Sequence, residues 1–240
     1  LLDNRCRRQF LADSIGLFGG MERDLWKLAR SVLDNLAPPD GDDGPLLSPQ
    51  EFCRRAEEEL AWLRARDPSL PSRVRLRPDV AGLLVSQGDL LVADDLHVPD
   101  SRVEALLQHE VGTHIVTRHN GCRQPLRQLG IGMAGYEETQ EGVAVLAEYL
   151  VDGLTPRRLR LLAARVIAVG AVIEDADFVE VYRLLSADHG LAPGAAFGAA
   201  MRVVRGGGLT KDAVYLRGFA RVLERLASGV QLTELLVGKI

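Results

Sequence analysis

The sequence predicts an α+β fold that is mostly α-helical, with one small antiparallel sheet packed beside a central helix. Apolar residues recur at helical spacing over most of the 240 residues. The stretch from Val74 to Val98 differs, because it contains short Val/Leu runs that are interrupted by turn residues. The length fits one large domain or a domain with a smaller appendage. We predict an N-terminal helix and linker over residues 1–45 and the main domain over residues 46–240.

Composition and charge argue against two kinds of partner. The formal net charge is −4 and the 29 basic residues are scattered along the chain, so we expect no nucleic-acid partner. No stretch approaches the roughly 20 apolar residues of a membrane-spanning helix, so we expect no membrane partner. Cys6, Cys53 and Cys122 are far apart and form no CxxC pair, which is typical of free thiols. We therefore expect a reducing, cytoplasmic location.

The first part of the chain is predicted to form helices that precede the sheet. Residues 9–36 carry apolar residues at near-helical spacing, and the loop APPDGDDGP ends that pattern. Ser48 precedes Pro49 as a capping residue, so a helix is predicted from residue 49 to about residue 66. In the sheet that follows, a hairpin is predicted at Ser86 to Asp89, between the runs GLLV and LLVA.

A helix after the sheet carries the segment that we expect to matter most for function. Pro99-Asp100-Ser101 offers a capping residue for its start, and Asn120-Gly121 ends it. Glycines at residues 206–208 predict a loop late in the chain. Further helices are predicted over residues 139–150, 157–172, 176–188, 193–204 and 210–226.

The motif His109-Glu110-Val111-Gly112-Thr113-His114 places two imidazoles around a carboxylate. This combination is typical of hydrolytic zinc sites, where the histidines bind the metal and the glutamate takes a proton from water. The usual spacing is HExxH, whereas this motif is HExxxH. Residues five apart on an α-helix are rotated by about 140°, so both rings cannot reach one ion from a regular helix. We therefore predict a π-bulge between His109 and His114 that absorbs the extra residue.

A catalytic zinc needs a third protein ligand, and the segment YEETQEGVA supplies carboxylates for that purpose. We predict Glu141, because the small residues Gly142 and Ala144 follow it and allow its helix to pack closely on the motif helix. Glu148 lies seven residues later on almost the same helix face. We predict that it is the hydrogen-bond partner of a ligand histidine.

Two questions about the predicted metal site stay open. His119, five residues after His114, is an alternative ligand or a substrate contact. A set of two histidines and one glutamate favours zinc, with one ion per chain, although cobalt or manganese can also occupy such a set.

Four segments of the sequence together resemble one known family. HEVGTH, the NG..QPL stretch, QEGVA and GGGLTKDAVYLRG occur in the same order in the microtubule-associated tyrosine carboxypeptidase family. Bacterial members of that family are labelled flavohaemoglobin expression-modulating QEGLA-motif proteins, and this sequence is similar to the bacterial branch. The resemblance spans residues 45 to 240. One departure is Val143, where the QEGLA motif has leucine, and this conservative apolar change leaves the site intact.

The resemblance implies a zincin-like zinc metallopeptidase. It implies that His109, His114 and Glu141 hold the zinc ion and that Glu110 is the catalytic general base. It also implies a carboxypeptidase reaction, in which a C-terminal residue, expected to be aromatic, is released from a peptide or protein.

A carboxypeptidase needs a cation or another donor to hold the terminal carboxylate of its substrate. The late motif offers Lys211 and Tyr215 as the first candidates for carboxylate binding and oxyanion stabilisation, followed by Arg205 and Arg217. Strand 89–93 is a further candidate for substrate binding, because extended peptides often pair with the edge of a sheet.

Two other functions stay open at the level of sequence. The first is a non-enzymatic regulatory or binding protein that retains the metallopeptidase fold, although Glu110 would have no use in it. The second is a zinc hydrolase that acts on an amide other than a peptide terminus.

Overall fold

The structure, a computed structural model, describes residues 8–38, 44–204 and 209–240. Most of these residues are helical, so the predicted class, α+β and mostly α, is confirmed, while the zincin-like architecture stays a prediction. The α-helices are α1 (Arg8–Phe18), α2 (Arg23–Asn35), α3 (Pro49–Arg64), α4 (Asp100–Leu107), α5 (Val116–Cys122), α6 (Gln128–Ile131), α7 (Tyr136–Leu150), α8 (Pro156–Ile173), α9 (Phe178–Arg183), α10 (Pro193–Val204), α11 (Val214–Ala227) and α12 (Leu232–Leu235). The strands are β1 (Leu46–Leu47), β2 (Val74–Arg77), β3 (Leu83–Ser86), β4 (Asp89–Ala93) and β5 (Val98–Pro99). π-Helices span Gln108–Ile115 and Leu184–Asp188, and a 3₁₀-helix spans Leu209–Ala213.

The chain divides into two compact units. Unit 1 comprises Leu1–Asp40 and Thr155–Arg221, and unit 2 comprises Gly41–Leu154 and Val222–Ile240. The domain boundary that we placed between residues 45 and 46 stays a prediction. Within the described part of the chain, every helix is too short or too polar to cross a lipid bilayer.

Unit 1 is built on the apolar helix α8. As predicted, Thr155 and Pro156 start this helix, and the Thr155 hydroxyl accepts a hydrogen bond from the Arg158 N–H. Helices α2 and α10 pack against α8. Gly170 permits the close approach of α2, because a Cβ atom at this position would lie 2.4 Å from the Trp26 ring.

The segment 9–36, for which the sequence predicts helical periodicity throughout, is two helices in the structure. Helix α1 ends at Phe18 and α2 begins at Arg23. Gly19 lies between them with φ of 80°, in the left-handed region that favours glycine. Arg217 donates hydrogen bonds to the main-chain carbonyls of Phe18 and Gly20, which holds this turn in place. The apolar spacing missed the break because Gly19 and Gly20 carry no side chain that reports periodicity.

In unit 2, helix α3 begins as predicted. The Ser48 hydroxyl accepts a hydrogen bond of 3.2 Å from the Glu51 N–H, and Pro49 occupies the first helical position. The buried face of α3 packs on the sheet and on the helix that carries the HExxxH motif, so that one apolar core holds the motif against the sheet. This core contains Phe52, Ala56, Leu60, Leu90, Val92, Val103, Leu107, Val111 and Ile115.

The sheet beside the motif helix is mixed, which corrects the prediction of an antiparallel sheet. Strands β3 and β4 form the predicted antiparallel hairpin. Strand β2 pairs in parallel with β4, with Val74 opposite Leu90, so the strand order is β2-β4-β3. Strand β4 takes the centre because its side chains Leu90 and Val92 are fully buried in the core. Both edges of β4 are therefore paired, and the prediction that this strand binds a substrate by edge pairing is wrong.

Candidate metal centre

The predicted helix distortion is confirmed. The motif lies within the π-helix Gln108–Ile115, which continues α4 and leads into α5. At its end, the Val116 N–H donates to the carbonyl of Val111, five residues earlier. The wider turn brings the rings of His109 and His114 together, with centroids 5.1 Å apart and planes at 78°. An α-helix would have turned the two rings to different faces.

Helix α7 supplies the third side chain. It packs against the π-helix, where Gly142 and Ala144 are buried and small enough to permit close contact. Glu141 Oε2 lies 3.4 Å from His109 Nε2 and 3.5 Å from His114 Nε2. One ligand atom from each of these three residues lies within 4.8 Å of the others, so the cluster could hold a metal ion.

The donor atoms of the cluster are of the kind that zinc binds, and two of the distances between them are close to those of a zinc site. Two imidazole nitrogens and one carboxylate oxygen form a known ligand set of catalytic zinc. Ligand atoms at zinc's usual bond length are about 3.3 Å apart in a tetrahedron. The distances of 3.4 Å and 3.5 Å from Glu141 Oε2 to the two histidines come close to that value.

The electrostatics of the cluster favour a cation among these side chains. Burial lowers the pKa of His109, but hydrogen bonds with Glu141 and Glu148 and the charge of Glu110 outweigh burial and raise the pKa to about 9. Burial raises the pKa of Glu141, but the charge of His114 and hydrogen bonds with both histidines bring it well below its usual value. The carboxylates therefore stabilise a positive charge at the place where the ligand atoms meet.

Glu148 lies behind His109. Its Oε1 is 2.9 Å from His109 Nδ1, and its Oε2 accepts a hydrogen bond of 2.8 Å from Arg102 Nη2. Glu148 is fully buried, and Arg102 also donates to the carbonyl of Gly153. A carboxylate in this position accepts a hydrogen bond from Nδ1–H, which leaves Nε2 of His109 directed to Glu141.

Glu110 and His119 occupy different environments. Glu110 follows His109 in the π-helix and is partly exposed. His119 Nε2 lies 2.9 Å from Asp67 Oδ2, and Asp67 also accepts hydrogen bonds from Ser69. His119 thus connects α5 to the turn after α3, and it is absent from the cluster of possible metal ligands found among the described residues.

The residues predicted to bind substrate belong to unit 1, whereas the metal cluster belongs to unit 2. Lys211 lies in the 3₁₀-helix and is partly buried. Tyr215 lies at the start of α11, and the guanidinium of Arg165 is 5.6 Å from the centre of its ring. Arg217 is buried and donates to main-chain carbonyls, which favours a structural role. Arg205 lies outside the described residues, and all four substrate-binding roles stay predictions.

Sequence analysis missed two residues that support the centre. Arg102 precedes His109 by seven residues, a spacing that places both on one helix face, and this spacing was the available signal. Gln140 is buried, accepts a hydrogen bond of 2.6 Å from Thr117 and donates one of 3.3 Å to the carbonyl of Gly238. Its position directly before Glu141 was the signal for its role, because it anchors the ligand turn of α7 to α5.

Comparison with known proteins gives a family for the chain. A family model described as microtubule-associated tyrosine carboxypeptidase matches residues 1–240. No curated protein matches the sequence. The family is of the carboxypeptidase type, and a chain with a His-His-Glu cluster in its motif segments is consistent with it. Because the match covers the whole sequence, the chain belongs to the microtubule-associated tyrosine carboxypeptidase family.

Proposed function

We propose that this protein is a zinc-dependent carboxypeptidase that releases a C-terminal aromatic residue from a peptide or protein. One observation carries the proposal. In a member of a carboxypeptidase-type family, His109 Nε2 and His114 Nε2 approach Glu141 Oε2 to within 3.4 Å and 3.5 Å, which is close to the separation of ligand atoms around a zinc ion. The preferred metal is zinc, at one ion per chain, because a set of two nitrogens and one carboxylate oxygen matches its usual ligands.

The chain's own side chains account for the remaining chemistry. Bound zinc supplies Lewis acidity, which polarises a carbonyl group and lowers the pKa of water. Glu110, beside His109 and partly exposed, is the proposed general base, which accepts a proton from the attacking water and passes it to the departing amine. Glu148 and Arg102 hold the His109 ring in one tautomer and one orientation.

Substrate selection is assigned to residues that bind a terminal carboxylate. Lys211 and Tyr215 stay the first candidates, because an ammonium and a phenol can hold a carboxylate and stabilise an oxyanion. Lys211→Ala distinguishes recognition of a peptide terminus from hydrolysis of another amide. We expect this variant to retain zinc and to lose release of the terminal residue.

The decisive experiment measures zinc and activity together. Wild-type protein and the variants Glu141→Ala and Glu110→Gln are analysed for metal content and for release of the last residue from peptides ending in Tyr or Phe. We expect Glu141→Ala to lose both zinc and activity. Glu110→Gln should keep zinc while its activity falls by about 100-fold or more, because it lacks only the proton acceptor.

A matched control is Glu138→Ala, which removes a carboxylate from the first turn of the same helix that is not part of the ligand cluster. It should retain zinc and activity. A folded wild-type protein that binds no zinc and cleaves no such peptide would contradict the proposal and would favour a non-enzymatic regulatory protein. Full activity in Glu110→Gln would remove Glu110 from the mechanism.

A further inference from the structure

Unit 1 contains an arginine cluster that consists of Arg165, Arg202, Asp212 and Tyr215. Arg165 projects from α8, and its guanidinium lies over the ring of Tyr215, 5.6 Å from the ring centre. The Nε atom of Arg165 is buried, and among the described residues no group accepts a hydrogen bond from it. A buried donor without an acceptor raises the free energy of the folded protein. Because this donor belongs to a guanidinium, an anion is the acceptor that would stabilise it best.

The carboxylate in this cluster is already engaged by the other arginine. Arg202 Nε and Nη2 donate to the two oxygens of Asp212 at 3.0 Å and 2.7 Å, which is a bidentate ion pair. The Asp212 side chain is 5% exposed, whereas that of Arg202 is 49% exposed. Within this ion pair, Arg202 is therefore accessible to solvent and Asp212 is buried.

The charges of the cluster do not balance. Two guanidinium groups face one carboxylate, and Arg158 adds positive potential at Arg165. Burial, and then repulsion by Arg202, lower the pKa of Arg165 to about 10, although Asp212 partly offsets this effect. The pKa of Arg202, by contrast, is raised. The hydrogen bonds to Asp212 are the main cause, and Tyr215 acts in the same direction. The uncompensated charge is thus concentrated at Arg165.

We infer that Arg165 and Arg202 form a binding site for a monovalent carboxylate. A planar carboxylate matches the fork of donors that a guanidinium presents. Its single negative charge would neutralise the guanidinium of Arg165, which has no carboxylate partner in the described part of the chain. The inference goes beyond the proposed function, since it concerns unit 1 alone and does not require the metal centre to be catalytic.

The test observes Arg165 directly. The side-chain Nε–H signal of Arg165 is assigned by its loss in Arg165→Lys and followed by ¹⁵N NMR in the 240-residue chain. The probes are N-acetyl-L-tyrosine, N-acetyl-L-tyrosinamide, acetate and inorganic phosphate. The first pair differs only in its carboxylate, acetate tests whether a free acid is sufficient, and phosphate tests a multivalent anion.

We expect N-acetyl-L-tyrosine to shift the Arg165 signal in a saturable manner and the amide to leave it unchanged. Arg165→Gln should weaken binding of the acid by about tenfold or more, since it removes hydrogen bonds to a charged group. If this variant fails to fold, Arg165→Lys, followed by ligand-observed titration, takes its place. Lysine retains the charge but lacks the fork, so binding should still weaken several-fold.

The matched control is Arg183→Gln, which removes an exposed arginine from α9 in the same unit. Its affinity for the acid should equal that of wild type. A repeat in Glu141→Ala separates this inference from the proposed function, because loss of the metal ligand should leave the Arg165 response unchanged. Equal responses to acid and amide, tighter binding of phosphate than of carboxylate, or unaltered binding in Arg165→Gln would overturn the inference.

Discussion

At His109, two carboxylates act on one imidazole ring. Glu141 is close to Nε2 and Glu148 is close to Nδ1. With a pKa raised to about 9, the metal-free ring carries a proton at neutral pH. A metal ion held by this cluster would compete with the proton for Nε2, so metal binding would depend on pH.

Zinc binding to the metal-free protein should therefore release about one proton at neutral pH. Because the His109 pKa is raised to about 9, the affinity for zinc should rise with pH and level off above that value. Calorimetric titrations in buffers of different ionisation enthalpy measure the proton count. A binding enthalpy that is independent of the buffer would contradict the protonation state that we assign to His109.

Glu148→Gln tests the support behind the ligand. The amide can still accept from His109 Nδ1, but it loses the charge that orients the ring and pairs with Arg102. We expect zinc affinity to fall by about 10- to 100-fold. Because a fully buried partner of an ion pair is lost, the free energy of unfolding should fall by about 3 kcal/mol.

Competition with a chelator measures the zinc affinity of Glu148→Gln, and urea denaturation measures its stability. Glu104→Gln, an exposed position on helix α4, is the matched control and should change neither quantity appreciably. If Glu148→Gln bound zinc as tightly as wild type, Glu148 would have no part in orienting His109.

At the scale of elements, one glycine of the π-helix and one of its neighbour α5 differ in the space around them. A Cβ atom at Gly112 would lie 2.4 Å from Oε1 of Gln108, the end of a flexible side chain that can turn away. A Cβ atom at Gly121 would lie 2.0 Å from the main-chain carbonyl oxygen of Leu129, which cannot move independently. There is therefore room for a methyl group at Gly112 but not at Gly121, although both residues lie in the same continuous helical segment.

Gly112→Ala and Gly121→Ala form a matched pair for urea denaturation. We expect Gly112→Ala to change the free energy of unfolding by less than about 1 kcal/mol, since alanine also favours helix. Gly121→Ala should lower it by about 3 kcal/mol, because the added methyl group has no space. Equal effects of the two substitutions would show that the close contact at Leu129 does not limit packing.

The helices that begin with a local signal were predictable from the sequence. Ser48 and Thr155 each accept a hydrogen bond from the N–H three residues later, as their positions before proline indicated. The sheet was less predictable. Strand β3 lies between β2 and β4 in the sequence, yet β2 pairs with β4. Local sequence specifies that a segment is extended, but burial of Leu90 and Val92 selects its neighbours.

At the scale of the whole molecule, the two compact units carry different chemistry. The His-His-Glu cluster lies in unit 2 and the arginine cluster lies in unit 1. A metal ion that binds only the folded form stabilises the region around its ligands. Removal of the metal should therefore lower the local stability of unit 2 near the ligands more than that of unit 1.

Hydrogen–deuterium exchange with and without zinc tests this expectation. Removal of the metal should increase exchange in the π-helix Gln108–Ile115 and in the part of α7 around Glu141. Exchange in α8, the buried helix of unit 1, should stay the same. A uniform increase over both units would show instead that metal binding is coupled to unfolding of the entire chain.

The sequence by itself predicted which side chains form the candidate metal cluster and how the backbone bends to bring two of them together. The spacing of His109 and His114 is incompatible with a shared ion on an α-helix, so a π-helix followed from geometry alone. The tertiary structure decided which side chains approach from elsewhere. Glu141 Oε2 meets both histidines, and Arg102 meets Glu148, because α7 packs on the motif helix. Gly142 and Ala144 indicated that α7 packs closely, but the contacts themselves depend on burial that is shared by distant segments.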